Sequence, residues 1–139
     1  IAFKQGQFGD LDAFGIDTWG VDYGLLDKNG HLAGVPRSYR LGVQADIDAV
    51  LEKIPAEELY SRTGIDTKLT FNTIYQLYDE KVNGRLEGVT DMLLMPEYLM
   101  WRLTGVKMRE FTNATTTGMI SAQTGIPATV QRANRLKVG

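Results

Sequence analysis

The chain has 139 residues, of which 43% are apolar and 23% charged, with a formal net charge of −2. That length allows one domain to bury roughly two-thirds of its unfolded surface, and the near-neutral charge gives no electrostatic case for nucleic acid or an anionic membrane as partner. Without cysteine, disulfides, thiolate catalysis and thiolate zinc sites are excluded, and no apolar run approaches the ~20 residues of a membrane span.

Ile1 to Leu11 opens without an initiator methionine, a helix cap or a clear period. It is expected to lead from the end of a helix through a loop into a strand, with sequence upstream cut away or not seen. No secretory signal is recognisable, so a cytoplasmic location is the default expectation. From Phe14 the pattern turns to period 2: Phe14, Ile16 and Thr18 oppose Gly15 and Asp17, then Val21, Tyr23 and Leu25 oppose Asp22 and Gly24. Trp19-Gly20 lies between the two runs. The reading is a pair of strands whose junction offers an aromatic face, open backbone and a carboxylate to a polar ligand. The plainer alternative is a buried strand with Trp19 in the core. Asn29-Gly30 tolerates positive φ and closes a tight turn. His31, the single histidine, follows that turn and is expected in solvent rather than as a base or ligand.

Gly34 and Pro36 interrupt regular structure, and Ser38-Tyr39-Arg40 reads as a short strand or loop edge. Ile47, Val50, Leu51 and Ile54 then follow helical spacing. Pro55 stops that helix and suits the first turn of the next, where Glu57 and Glu58 meet the positive end of the helix dipole and Gly64 supplies the exit. Thr67 to Thr70 is turn-like. Asn72 is the candidate N-cap of a helix running through Ile74, Leu77 and Tyr78 to Asn83-Gly84. Val89 to Met95 reads as a strand or a buried helical turn. Pro96 opens a helix ending at Thr104-Gly105, with Met92, Met95, Leu99 and Leu103 on one face. The five methionines are read as fillers of core gaps. Phe111 to Gly118 carries four threonines, whose hydroxyls favour an irregular, hydrogen-bonded loop. Beyond Gly125, Pro127 opens a last helix with Val130, Ala133 and Leu136 inward and Arg132, Arg135 and Lys137 outward. No repeat or linker divides the chain, which reads as one domain.

The chemistry is narrower. No nucleophile elbow, Walker A loop or dinucleotide fingerprint occurs. Asp17 and Asp22 would form a carboxylate pair only if the bend at Trp19-Gly20 brought them together; aspartates near strand ends usually bond backbone groups instead. Binding of a polar ring is the more coherent reading. Sugars need hydrogen-bonding groups for their hydroxyls and an apolar surface for their CH faces. Trp19 offers the surface, Gly20 permits close backbone approach, and Phe71-Asn72 adds a second ring and amide at a helix start with free donors.

The run Gly15-Ile16-Asp17-Thr18-Trp19-Gly20-Val21-Asp22-Tyr23, with Leu25-Leu26-Asp27 after it, resembles the FGGY family of carbohydrate kinases, in its branch that acts on L-rhamnulose. Further matches follow in order: Pro36 to Arg40, Tyr60-Ser61-Arg62-Thr63-Gly64-Ile65, Phe71-Asn72-Thr73-Ile74-Tyr75-Gln76-Leu77, Leu93 to Leu99, Arg102-Leu103-Thr104-Gly105, and Glu110 to Thr117. The resemblance spans about Ile1 to Gly125. It implies an α/β fold of mixed strands and packed helices, part of an actin-like, ribonuclease-H-like ATPase domain, with Pro36 to Arg40 as the strand after the hairpin. It implies transfer of the γ-phosphate of ATP, with Mg²⁺, to L-rhamnulose, giving L-rhamnulose 1-phosphate, with a carboxylate accepting the hydroxyl proton.

The sequence departs from the family pattern in what it lacks. The glycine-containing phosphate hairpin, the later His-Asp segment with the base, and the C-terminal nucleotide domain are absent from residues 1–139. Leu41-Gly42-Val43 replaces the usual Asp- and Arg-containing turn, and the usual Trp after Gly125 is missing. The expectation is part of an N-terminal sugar-binding domain, inactive alone, holding no catalytic residue, metal ligand or cofactor contact of its own. The substrate-binding positions implied are Gly20, with Trp19, Phe71 and Asn72 as neighbouring walls and Tyr39 further out; Asp17 is read as structural. Two other readings stand beside this: a family member acting on another ketose or deoxy sugar such as xylulose or fuculose, and a non-catalytic sugar-binding or regulatory module.

Overall fold

A computed structural model describes residues 12–125; the helix expected beyond Pro127 and the segment Ile1 to Leu11 lie outside them. Only the second half of the alternating run becomes a strand, β1 (Tyr23–Asp27). The chain then turns back. Gly30 takes φ 80°, its N–H donates to the Asp27 carbonyl at 3.0 Å, and the Asp27 N–H donates to the His31 carbonyl at 2.9 Å. His31 is exposed. Beyond the turn Leu32 bridges back to Leu26, after which Gly34 and Pro36 lie in irregular chain.

The partner of β1 comes from far along the sequence. β2 (Val89–Leu94) runs antiparallel to it, with Tyr23 opposite Leu94, Gly24 opposite Leu93, and Leu26 opposite Asp91. The register slips after Leu26, so that Asp27 faces Val89. Phe14 to Thr18, expected as a strand, forms none. Alternation makes a strand only where a neighbour takes up the backbone N–H and C=O groups, and β1's two edges are taken by β2 and by the returning chain, whose Ala33 N–H donates to the Leu25 carbonyl at 2.9 Å. Phe14 is accordingly exposed.

The helices follow their sequence signals more closely. α1 (Gln44–Leu51) buries Ile47 and Val50, and these meet Tyr75 of α3 (Thr73–Val82), with Leu51, Ile74 and Tyr78 packed around them. The Tyr75 hydroxyl donates to the Thr67 carbonyl at 2.7 Å, pinning the loop before α3 to its core face. α2 (Ala56–Thr63) starts at Pro55, carries Glu57 and Glu58 in its first turn, and ends on Gly64 at φ 71°. α4 (Met95–Thr104) leaves β2 directly and ends on Gly105 at φ 74°.

Some expectations fail. The apolar stripe of Met92, Met95, Leu99 and Leu103 is buried only toward Met95, since Leu99 and Leu103 are exposed among the described residues. Exposed Met108 likewise fills no core gap. Ser38-Tyr39-Arg40 is no strand; Tyr39–Leu41 forms a 3₁₀ turn whose start is capped by Ser38 Oγ, accepting from the Arg40 N–H at 3.3 Å. The threonine segment is not irregular either. It forms α5 (Phe111–Thr115), with Glu110 accepting from the N–H groups of Thr112 and Asn113 at 2.9 and 2.6 Å. The hydroxyls of Thr115, Thr116 and Thr117 fold back onto carbonyls three residues earlier, at 2.6, 2.7 and 2.7 Å. A capped start leaves those hydroxyls to reinforce the turn rather than compete with it.

Three junctions lock these elements. Arg37 and Arg85 both pair with Asp79, and Arg85 also reaches buried Glu80 at 2.5 Å, which fastens the loop before Tyr39 to the end of α3. Glu97, buried in α4, accepts from the Leu94 N–H at 3.0 Å and the Glu110 N–H at 2.9 Å, tying β2 to the start of α5. Gly42 lies so near the Thr70 carbonyl that a Cβ there would stand 2.3 Å from the oxygen. Gly42→Ala must therefore separate the Tyr39 and Phe71 segments, and a loss of about 1–3 kcal/mol in unfolding free energy is expected from denaturant titration.

Asp91 gives a pH-dependent test. Burial opposes its ionisation, but the Lys107 ammonium at 2.8 Å, the Met92 N–H at 2.9 Å and Arg109 hold its pKa below the ordinary 3.8. With the folded value below the unfolded one, this stabilisation is complete above the ordinary value and is lost as pH falls through the folded value. The urea midpoint should drop as pH falls below about 5, and Asp91→Asn should flatten part of that drop.

Candidate functional site

The chain between Trp19 and Asp22 makes a turn that the sequence does not announce. The Asp22 N–H donates to the Gly20 carbonyl at 2.9 Å, and Val21 between them sits at φ 68°. An i to i+2 hydrogen bond with a positive central φ is the rarer γ-turn, and a β-branched residue is strained there. The kink that was expected at Trp19-Gly20 is therefore centred on Val21. It turns the indole outward: Trp19 is 53% exposed and no core residue.

Asp22 holds the indole in place. The residue is 5% exposed, and its carboxylate accepts from Trp19 Nε1 at 2.7 Å and from the Tyr39 N–H at 3.0 Å. Asp22 is thus a structural acceptor, while Asp17 stands exposed. With its N–H engaged, Trp19 presents only its ring faces. Tyr39 carries the arrangement onward, since its ring meets that of Phe71 edge-on with centroids 6.2 Å apart.

These residues line one open cavity of about 550 Å³, walled by Trp19, Gly20, Val21, Tyr39, Gly64, Ile65, Asp66, Leu69, Phe71, Asn72 and Thr116. The four positions singled out from the sequence, Trp19, Gly20, Phe71 and Asn72, thus share a wall, with Tyr39 beside them. Two details differ from expectation. Asn72 does not cap α3 with its side chain; its Nδ2 donates to the Asp66 carbonyl at 2.7 Å. The helix start is not a set of free donors, because the Ile74 N–H goes to the Thr117 carbonyl at 3.1 Å and the Tyr75 N–H to the Asn72 carbonyl at 3.0 Å.

Gly20 also works differently. A Cβ there would meet Thr116 Oγ1 at 3.5 Å and Asn113 Oδ1 at 3.8 Å. Its open side thus faces α5 and the turn after it, and this lets Thr116 reach the cavity edge. Asn113 Nδ2, close by, is buried without a partner among the described residues. Polar contributors not singled out from the sequence are Thr116, Asp66, and the side chains beneath the turn, Thr73 and Gln76. The last two were detectable as polar residues on an inward helix face, at i and i+3.

A second concavity, about 270 Å³, is lined by Tyr23, Arg37, Glu80, Arg85 and neighbours. Its guanidinium groups are already paired with Asp79 and Glu80, so they are not free to receive an anion. Burial, with Glu80 nearby, pushes the Tyr23 phenol above its ordinary pKa. No helix among the described residues is long and apolar enough to cross a membrane.

Residues 5–125 match the model of the FGGY family of carbohydrate kinases, N-terminal domain. A rhamnulokinase from Mannheimia succiniciproducens is 46% identical over 117 residues, covering 80% of this chain and 23% of that protein. A rhamnulokinase from an Enterobacter species is 44% identical over 114 residues, with the same coverage. The chain thus spans 23% of the length of these curated relatives. Among solved structures, xylulose kinase from Rhodospirillum rubrum aligns with a TM-score of 0.65 at 18% identity, covering 76% of this chain and 22% of that one. A carbohydrate kinase from Novosphingobium aromaticivorans aligns at 0.66 with 22% identity, covering 81% and 24%. At that identity the likeness concerns the fold, which is the mixed α/β, actin-like and ribonuclease-H-like kind.

Replacing Asp22 by Asn turns one acceptor into a donor that faces an N–H. Asp22→Asn should lower the unfolding free energy by about 1–3 kcal/mol and shift the emission of the freed Trp19 indole to longer wavelength. Unchanged emission would show that the indole is held by something else.

Proposed function

Because the chain belongs to the FGGY family of carbohydrate kinases, matching its N-terminal domain over residues 5–125, we propose that it forms the sugar-holding wall of a kinase that phosphorylates L-rhamnulose to L-rhamnulose 1-phosphate. The observation that carries this reading is the cavity itself. Its aromatic faces and polar groups come from four separate stretches of chain, around Trp19, Tyr39, Phe71 and Thr116. The choice of sugar follows the rhamnulokinases, the relatives at 46% and 44% identity.

In this reading Trp19 and Phe71 lie against the CH faces of the ketose. The Thr116 hydroxyl donates to the Asn113 carbonyl at 2.7 Å, which leaves its lone pairs for a sugar hydroxyl. Asp66, whose carboxylate accepts from the Lys68 N–H at 2.9 Å, offers a second acceptor on the same wall. The contribution to rate is orientation: a hydroxyl held at a fixed place and angle removes much of the entropic part of the barrier.

ATP, with Mg²⁺, supplies the phosphoryl group in such a reaction. The described residues contain no group of three or more His, Asp or Glu side chains that could hold a metal ion, and no step through the nucleotide is assigned to them. The nucleotide site and the proton-accepting carboxylate are assigned to further polypeptide of the intact protein, so residues 1–139 alone should turn over nothing. The setting is cytoplasmic, and the partner is the free ketose rather than a macromolecule.

A coupled ATP-consumption assay on the intact protein tests this across L-rhamnulose, xylulose and fuculose. L-Rhamnulose should give the highest kcat/KM; a clear preference for either other sugar would overturn the assignment. Trp19→Ala should raise the sugar KM by about tenfold while leaving the ATP KM nearly unchanged. Gly20→Ala should be mild, whereas Gly20→Val should press on Thr116 and raise the sugar KM. Equal changes in both KM values would place these residues outside the sugar site.

A further inference from the structure

We propose that Gln76 and Thr73 are positioning residues that set the shape of the sugar wall by clamping the strained turn at Val21. The inference rests on the sugar-kinase reading for its functional consequence, but the clamp is visible in the geometry. Val21 at φ 68° occupies backbone space that a β-branched residue avoids. Such strain persists only where the surroundings over-determine it.

The surroundings here are two side chains from the first turn of α3. The Val21 carbonyl accepts from Thr73 Oγ1 at 2.8 Å and from Gln76 Nε2 at 3.2 Å. The same Gln76 nitrogen donates to the Phe71 carbonyl at 2.8 Å. A primary amide carries two hydrogens, and Gln76 places one on each side of the cavity. One goes to the turn that aims Trp19, the other to the segment that carries Phe71. Thr73 is 0% and Gln76 9% exposed, so water does not readily replace either donor.

The clamp therefore fixes the spacing between two aromatic walls without itself lining the cavity. The strain explains why two donors converge on one carbonyl. Released, the turn would relax toward negative φ and carry the indole and Gly20 away from Phe71. Removal of either donor should loosen the cavity locally and leave the α1–α3 core, built on Tyr75, in place.

The test uses the intact protein with Gln76→Leu, which removes both donors at similar volume, and the pair Thr73→Val and Thr73→Ser. Amide hydrogen exchange at Asp22, whose N–H closes the turn, should accelerate by about tenfold in Gln76→Leu and Thr73→Val. Exchange in the middle of α3 should stay unchanged. The sugar KM should rise by a similar factor with the ATP KM unmoved, and Thr73→Ser, which keeps the hydroxyl, should restore both readouts. In a Val21→Gly background the turn carries no steric strain, so Thr73→Val should change Asp22 exchange much less than in the parent.

Unchanged exchange at Asp22, acceleration spread evenly over α3, or additive effects in the Val21→Gly background would each overturn the clamp. If Gln76→Leu does not fold, the Thr73 pair decides. If the parent protein phosphorylates no sugar, the kinase reading fails on its own, and the exchange measurements alone then uphold or overturn the clamp.

Discussion

The site depends on one buried carboxylate residue whose every hydrogen-bonding group is engaged. The Asp22 N–H closes the γ-turn onto Gly20, its carbonyl accepts from the Met95 N–H at 3.1 Å, and its two carboxylate oxygens take the Trp19 indole and the Tyr39 backbone. A turn, the start of α4, an aromatic ring and a distant loop thus meet at a single residue. Charge-assisted hydrogen bonds of this kind are roughly twice as strong as neutral ones, and an unpaired carboxylate at that depth would be strongly unfavourable. Any rearrangement that frees one partner leaves a buried group unsatisfied, which is why the wall behaves as one piece.

α3 is the second organiser, and its two flanks have different tasks. Tyr75, with Ile74 and Tyr78, packs on Ile47 and Val50 of α1 and supplies the apolar burial that keeps the helix in place. Thr73, Gln76 and Glu80 form a buried polar stripe. The first two hold the Val21 turn, and Glu80 receives Arg85 and Arg37. A helix anchored by its apolar flank can offer polar side chains at fixed spacing, which a loop cannot do with the same accuracy. The aromatic surfaces at the cavity are loop residues, and their positions are inherited from α3, Asp22 and the close approach at Gly42.

Two neighbouring junctions show how small residues and capping acids serve the same end. Gly42 lets the Tyr39 turn press against the Thr70 backbone. Glu97 and Glu110 in sequence fasten β2, α4 and α5, and that chain of contacts delivers Thr116 to the cavity edge beside Gly20. The two acids stabilise free N–H groups at successive starts, the usual task of an acceptor at a helix N-terminus.

The amino-acid order by itself determined the local elements whose signals are short-range: the turn at Gly30, α1 up to Leu51 (though not its end, which falls before Ile54 and Pro55), α2 with its exit at Gly64, α3 from Asn72, and α4 to within a residue of Pro96 at its start and Thr104-Gly105 at its end. Recognition of the Trp19 and Phe71 motifs also placed the candidate positions, because side-chain chemistry is written residue by residue. Tertiary structure alone decided what those residues do. It left Phe14 to Thr18 without a strand partner among the described residues and paired β1 with β2, since strand pairing depends on which edge is free. It moved the kink to Val21, made Asp22 a hub, and turned Gln76 from one polar letter in a helix into a bridge between two walls. Hydrogen bonds spanning 52 and 55 positions in the chain leave no periodic trace, because their geometry exists only once distant segments have been packed together.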